Sequence, residues 1–195
     1  MRRTFIILIV SLSFSKGFSQ VDINTNDILD RDSLTNFSLP IYFDSFIGIK
    51  PIYKSNNPIE IRLYEISMFG YRCRTLCFDG AKWSGEVIRS SIYQDDSLTK
   101  LNSSLNFKAI LDTLIKGRVF TLPSQRLITL DGSVDDGMNY SISYKVGSKY
   151  RSYDFSNPDV YLKEFEKNKD VQELKLYIAI IDIFAKLYRP NDLFP

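Results

Sequence analysis

Residues 139–146 alternate without a break. Tyr140, Ile142, Tyr144 and Val146 fall on one side of an extended chain; Asn139, Ser141, Ser143 and Lys145 fall on the other. A period of two is what a strand with one buried face requires, because successive side chains leave the pleat in opposite directions. Gly147-Ser148 supplies a two-residue turn and Lys149 to Phe155 returns, which is an antiparallel hairpin. The same signals recur upstream. Glu60 to Met68 is β-rich, Gly70 follows, Arg72 to Phe78 resumes, Asp79-Gly80 marks a tight turn, and Trp83 to Tyr93 runs on. Here Trp83, Gly85 and Val87 share one face, and Lys82, Ser84 and Glu86 the other. This spacing predicts a three-stranded antiparallel meander. Gln125 to Leu130 is a further strand candidate, with Asp131 to Gly137 as a loop.

Two segments change period. Phe107, Ile110, Leu111, Leu114 and Ile115 fall at helical spacing, with Gly117 placed to end the helix as its C′ residue. After Asn157-Pro158, where Asn157 can cap and Pro158 fits the first helical position, a short helical segment reaches about Asn168 and a longer one runs from about Asp170 to Tyr188. In the longer one Val171, Leu174, Ile178, Ile181, Ala185 and Tyr188 make an apolar stripe, widened by Tyr177, Ile180, Phe184 and Leu187. A stripe that broad packs across a sheet. The fold class is therefore α+β: an antiparallel β-sheet of five to seven strands with two helical segments, near 104–116 and 159–188, packed on one face. The two halves share a rhythm of strands, helix and a Phe–Pro ending (Phe120 to Pro123, Phe194-Pro195). A duplicated β-β-β-α unit and two unrelated hairpin-plus-helix units both account for it.

The N-terminus reads differently. Arg2 and Arg3 precede an apolar run from Phe5 to Val10, extended through Leu12 and Phe14, and Gly17-Phe18-Ser19 sets small residues where a signal peptidase reads. This is the layout of a secretory signal peptide covering residues 1–19; the run is shorter than the ~20 residues a membrane span needs. No Cys lies near the cleavage position to carry a lipid. The expected location is periplasmic or secreted. Residues 20–57 form a polar arm and an extended segment, the arm (20–39) rich in Asp, Asn, Ser and Thr and the rest (40–57) apolar but broken by Pro40, Gly48 and Pro51, as an edge strand tolerates. Residues 58–195 form a single α+β domain.

Charge and composition narrow the chemistry. The 25 Lys and Arg against 23 Asp and Glu include Arg2, Arg3 and Lys16 of the leader, so the remainder is close to −1. No basic excess points to nucleic acid. There is no histidine. Ser-His and Cys-His nucleophile pairs, HExxH zinc sites and imidazole acid/base work are thereby excluded. Carboxylate chemistry of the glycosidase kind is not. Cys73 and Cys77 sit four apart in a segment that reads as a strand, hence roughly 13 Å from one another, beyond disulfide reach. They read as two small residues on the inner face of the sheet, not as a bridge and not as a metal site.

Other motifs dissolve on inspection. Asp131 to Gly137 resembles a calcium loop but lacks the EF-hand glycine and terminal glutamate, since those positions hold Asp136 and Ile142. Ser97-Leu98-Thr99-Lys100 matches SxxK without the partner KTG motif, and Ser97 reads as a helix-capping or loop residue. No cofactor loop of the GxGxxG or Walker A type occurs, so no cofactor is implied. What remains is a set of cationic and aromatic side chains, Arg72, Arg74, Trp83, Arg151 and Tyr153, that would make a binding surface if they stood together on an exposed sheet face.

Val119-Phe120-Thr121-Leu122-Pro123, Asp136-Gly137 with Tyr140, Tyr150-Arg151-Ser152-Tyr153, and Ser156-Asn157-Pro158 before the terminal helix together resemble uncharacterised small secreted proteins of Gram-negative bacteria, over roughly residues 58–189. The resemblance implies an exported bacterial protein; that family has no assigned activity, so no catalytic residue follows from it. The leading functional expectation is a non-enzymatic binding or accessory protein of the cell envelope, with a protein or glycan partner. The alternatives are a carboxylate-based glycan-acting enzyme and an inhibitor or immunity-type protein.

Overall fold

The computed structural model describes residues 43–91, 94–100, 106–128, 130, 134, 137–164 and 171–187. The signal-peptide reading of residues 1–19, the polar arm, most of the Asp131–Gly137 loop and the terminal Phe194-Pro195 lie outside these.

The alternating segments form one antiparallel sheet: β1 (Ile59–Ser67), β2 (Gly70–Phe78), β3 (Trp83–Ser84), β4 (Glu86–Ser91), β5 (Gln94–Lys100), β6 (Asn139–Val146) and β7 (Lys149–Ser156). Their order across the sheet is β5-β4-β2-β1-β6-β7, with β3 paired to β2. The predicted meander is present, centred on β2, and β1 joins it to the predicted hairpin through the register Ile61↔Tyr144 and Leu63↔Ile142. At the Asp79-Gly80 turn, the Asp79 carboxylate accepts the backbone N–H groups of Ala81 and Lys82, each at 2.8 Å, and Gly80 takes φ 99°, a conformation that favours glycine.

Three helices follow the strand groups: α1 (Phe107–Lys116), α2 (Pro158–Glu164) and α3 (Val171–Leu187). The core lies between α1, α3 and one face of the sheet. Ile59, Ile61, Leu63, Leu76, Val87, Ile142, Tyr144, Tyr153 and Phe155 of the strands pack with Phe107, Leu111 and Leu114 of α1 and with Leu174, Tyr177, Ile180, Phe184 and Leu187 of α3. The protein is thus α+β, with its helices on one sheet face. In α3 the buried line is Leu174, Tyr177, Ile180, Phe184 and Leu187, while Ile178, Ile181 and Ala185 are half-buried. The centre of the stripe is rotated from the one expected, because a broad apolar arc does not fix which of its edges meets the sheet.

Several local readings change. Gln125–Leu127 is a 3-10 turn, not a strand, which also removes the third strand of a duplicated β-β-β-α unit. Gln125 Oε1 accepts the Ser156 N–H of edge strand β7 at 2.5 Å, and this covers part of the edge. Ser97 lies in β5, not in a loop or helix cap. Residues 43–57 do not pair as an edge strand. They make a helical turn at 43–46 and a 3-10 turn at Ile52–Lys54. Gly117 ends α1 with φ −72°, and the left-handed residue is Arg118 at φ 62°. A Cβ at Gly117 would lie 3.3 Å from the Leu114 carbonyl oxygen, a close approach, and in ordinary contact with Ile180 Cγ1 of α3 at 3.6 Å. Asn157 stands at the N-cap position of α2, its carbonyl accepting the Val160 and Tyr161 N–H groups at 3.0 and 3.1 Å. Its Oδ1 accepts the Met138 N–H at 2.9 Å, against a backbone bond in the other direction at 3.1 Å. The Asn157 amide occupies the space a Cβ on Gly137 would need.

Cys73 and Cys77 are both free thiols on β2. They point away from the helices, not into the main core: they share the opposite face with Thr75, Glu60, Arg62 and Tyr64. Burial pushes both thiols up, Cys77 to about 12, so almost no thiolate forms at neutral pH. Thiol titration in denaturant is therefore expected to count two groups, and the same reagent at pH 8 without denaturant to react slowly. A count of zero would mean that β2 is not extended between them.

Candidate functional site

The five residues singled out from the sequence do not gather on one exposed surface. Arg151 and Tyr153 lie on β7 with 1% of each residue exposed, and Arg74 with 3%. Trp83 is half-buried, its ring stacked 6.2 Å from Phe107 and tilted 5.1 Å from Phe78, and so belongs to the rim of the core.

The chain between α1 and the 3-10 turn explains Arg151 and Tyr153. Residues 119–123 are irregular yet Val119, Phe120 and Leu122 are buried. Buried backbone carbonyls without a helix or ladder need donors from elsewhere. The Tyr153 hydroxyl donates to Val119 O at 2.9 Å, Tyr144 to Phe120 O at 2.7 Å, Arg151 Nη1 to Leu122 O at 2.7 Å, and the Tyr177 hydroxyl to Pro123 O. The Arg151 guanidinium also lies 4.8 Å over the Tyr153 ring. The polar tips expected to face a partner are holding a neighbouring segment of their own chain.

Arg72 and Arg74 belong to a different group, at the end of the helix-side face nearest the β1–β2 turn. Glu65 of β1 pairs across the sheet with Arg72 of β2, and Arg72 with Arg89 of β4; on the other side Glu65 faces Tyr140 of β6. Arg72 Nη1 bonds Glu65 Oε2 at 3.0 Å and Arg74 Nη1 bonds Glu65 Oε1. Burial lowers Arg72 to about 10; Glu65 pulls it back, and Arg74 and Arg89 press it further down. Arg89 is lowered by burial and by Arg74. Tyr140, raised to about 12 by burial and then by Glu65, stacks 5.5 Å from Phe155. Arg74 Nε is buried with no hydrogen-bond partner among the described residues. Arg89 and Tyr140 are half-buried, and the Arg72 and Glu65 side chains each keep 11% of their surface exposed. Guanidinium groups held side by side in this way suit carboxylate, phosphate or sulfate oxygens.

Glu65, Arg89 and Tyr140 were missed by sequence reasoning. Their signal was the register: once β1 and β2 are joined at Ser67 and Gly70, Glu65 must face Arg72. Arg89 was harder to place, because the separate short strand β3 interrupts the return of the chain.

A second polar group occupies the opposite face. Arg62 bonds Asp44 Oδ1 at 2.8 Å and Glu60 Oε1 at 2.5 Å, and the Tyr64 hydroxyl donates to Asp44 at 2.5 Å. All four residues are at most 4% exposed. Burial raises the Asp44 carboxyl above its ordinary value, more than Arg62 and the Tyr64 hydroxyl lower it. Two acids near one another invite comparison with a glycosidase pair. Here, however, both are buried against the same guanidinium, with Ser55 and Asn57 donating to Glu60 Oε2. The arrangement is a filled structural network: among the described residues both acids are buried and bonded to Arg62.

Among the described residues, no three His, Cys, Asp or Glu side chains are grouped to hold a metal ion, and no helix is long and apolar enough to cross a membrane. Compared with protein-family models and with curated proteins, the sequence matches none of them.

Proposed function

We propose that this is an exported, non-enzymatic binding or accessory protein of the bacterial cell envelope, one that engages an acidic group of a protein or glycan partner through Arg72 and Arg89, with the buried Arg74 holding Glu65 beside them. The observation that carries the reading is the convergence of three arginines from two adjacent strands beside Glu65 and Tyr140. Arginine and tyrosine are the side chains that most often anchor interfaces. The charged head, apolar run and small-residue cleavage position at the N-terminus support export. The missing histidine, with Asp44 and Glu60 locked on Arg62, supports a role other than catalysis.

The test measures binding of the mature protein to purified envelope glycan and to envelope proteins, for wild type and for Arg72→Ala with Arg89→Ala. Loss of two anchoring arginines is expected to weaken binding more than about tenfold, with the far-ultraviolet circular dichroism unchanged. Equal binding by the double variant removes the arginine surface from consideration. The export half is read separately, from the intact mass of protein recovered outside the cytoplasm, which should begin at Gln20.

A further inference from the structure

The buried network on the sheet face away from the helices is the fastening of one particular segment. Residues 43–57 run along that face and touch it at successive points. Phe43 and Phe46 lie 5.5 and 5.7 Å from the Tyr71 ring. Asp44 meets Arg62 and Tyr64. Tyr53 lies 5.7 Å from Tyr150, and Ser55 and Asn57 meet Glu60. Lys145 Nζ donates to Asn57 O at 2.9 Å, and beyond the segment's end Gly147 N donates to Pro58 O at 2.8 Å.

The nature of these contacts sets the segment apart from the rest of the fold. Of its apolar side chains, Ile52 is fully buried, Phe43, Ile47 and Ile49 are half-buried, and Phe46 and Tyr53 are exposed. None of them belongs to the core between sheet and helices, which is complete without the segment. The face beneath is largely polar: Glu60, Arg62, Tyr64, Thr75, and the Ser143 and Ser152 hydroxyls bonded to each other at 2.6 Å, beside Tyr71, Ile88 and the two thiols. Ion pairs that regain water when separated add little net stability, because the desolvation they had cost is recovered. A face rich in hydroxyls and charges resists exposure less than an apolar one.

We infer that residues 43–57 are a strap that opens as a unit, fastened by Asp44 on Arg62 and Tyr64, and that its opening uncovers Cys73 and the polar sheet face while the sheet and helices stay folded. Cys73 is the reporter. It is fully buried, and it is the cross-strand partner of Tyr64, whose hydroxyl holds Asp44. Units of this kind open below the global unfolding free energy.

The experiment follows labelling of Cys73 by a thiol reagent in full-length Cys77→Ser protein, with and without Asp44→Ala. Asp44→Ala leaves the buried Arg62 guanidinium and Tyr64 hydroxyl without this partner in the closed state, which costs more than the intact pair had contributed, and is expected to speed labelling roughly ten- to a hundredfold at denaturant concentrations where the circular dichroism of the sheet has not changed. Hydrogen exchange on the unsubstituted protein is an independent readout. The amides of Ile47 and Ile49, bonded to Phe43 O and Asp44 O at 2.9 Å, should exchange well before those of Ile61 and Leu63. If Cys73 labels only in step with global unfolding in both proteins, or if the Ile47 and Ile49 amides exchange no faster than those of β1, the segment is an integral part of the fold and the inference is wrong.

Discussion

Phe184→Ala is expected to cost about 3–5 kcal/mol of folding stability. The Phe184 ring is fully buried on the line of α3 that meets the sheet, among Tyr177, Ile180 and Leu187. Truncation removes the transfer energy of the ring and leaves a cavity that the rigid strands below cannot fill. Since a domain of this size holds only about 5–15 kcal/mol in total, the variant should unfold at a much lower urea concentration with an unchanged slope. Ile181→Ala is the control. Ile181 is half-buried on the neighbouring line of the same helix, so its loss should be clearly the smaller. Equal losses would show that α3 is rotated from the position described.

Arg151→Ala is expected to cost about 3–4 kcal/mol, from an unsatisfied buried carbonyl and a cavity together. Arg151 is the largest fully buried side chain among the described residues, its guanidinium bonded to Leu122 O and lying over Tyr153. Arg151→Lys should recover only part of this, since an ammonium lacks the planar fork that reaches the carbonyl and covers the ring. The tyrosines around it add a pH dependence. Burial raises the Tyr153 and Tyr177 hydroxyls well above their ordinary value. In the unfolded chain they ionise near pH 10. Their contribution is therefore fully present below about pH 10 and is lost as pH rises toward their folded values. Stability measured by urea titration should be flat across neutral pH and fall above about pH 10. Phenolate absorbance of these two tyrosines should appear only as the protein unfolds. An Arg151→Ala protein as stable as wild type would mean that residues 119–123 are not held from β7.

This second prediction reverses what the sequence suggested for the same residue. Read along the chain, Lys149-Tyr150-Arg151-Ser152-Tyr153 interleaves basic and aromatic side chains, a composition shared by binding surfaces and by well-satisfied interiors. Alternation correctly put Arg151 and Tyr153 on one face of β7. It carried no information about what packs on that face. The deciding group is a run of backbone carbonyls at Val119, Phe120, Leu122 and Pro123, some thirty residues away or more.

The two cysteines teach the same lesson from the other side. Their four-residue spacing on a strand was enough to exclude a disulfide and to put them on a common face, since both statements depend on local geometry alone. Which face that was depended on where the helices docked. In β1, Ile59, Ile61 and Leu63 alternate with Glu60, Arg62 and Tyr64, a pattern that ordinarily means core on one side and solvent on the other. Asp44, at least fifteen residues from any of these, turns the solvent side into a second buried layer.

The sequence by itself determined the strands of the two hairpins, the Asp79-Gly80 turn, the positions of α1 and α3, and the absence of imidazole chemistry. Each of these follows from neighbours within a few residues, through periodicity, turn conformation or composition. Only the tertiary structure decided that Arg151 and Tyr153 face inward, that Arg72, Arg74 and Arg89 meet beside Glu65, and that residues 43–57 cover the polar face of the sheet. Those outcomes depend on strand register and on groups distant in the chain. A buried carbonyl or carboxylate must find its donor wherever the fold brings one, and no local pattern records where that is.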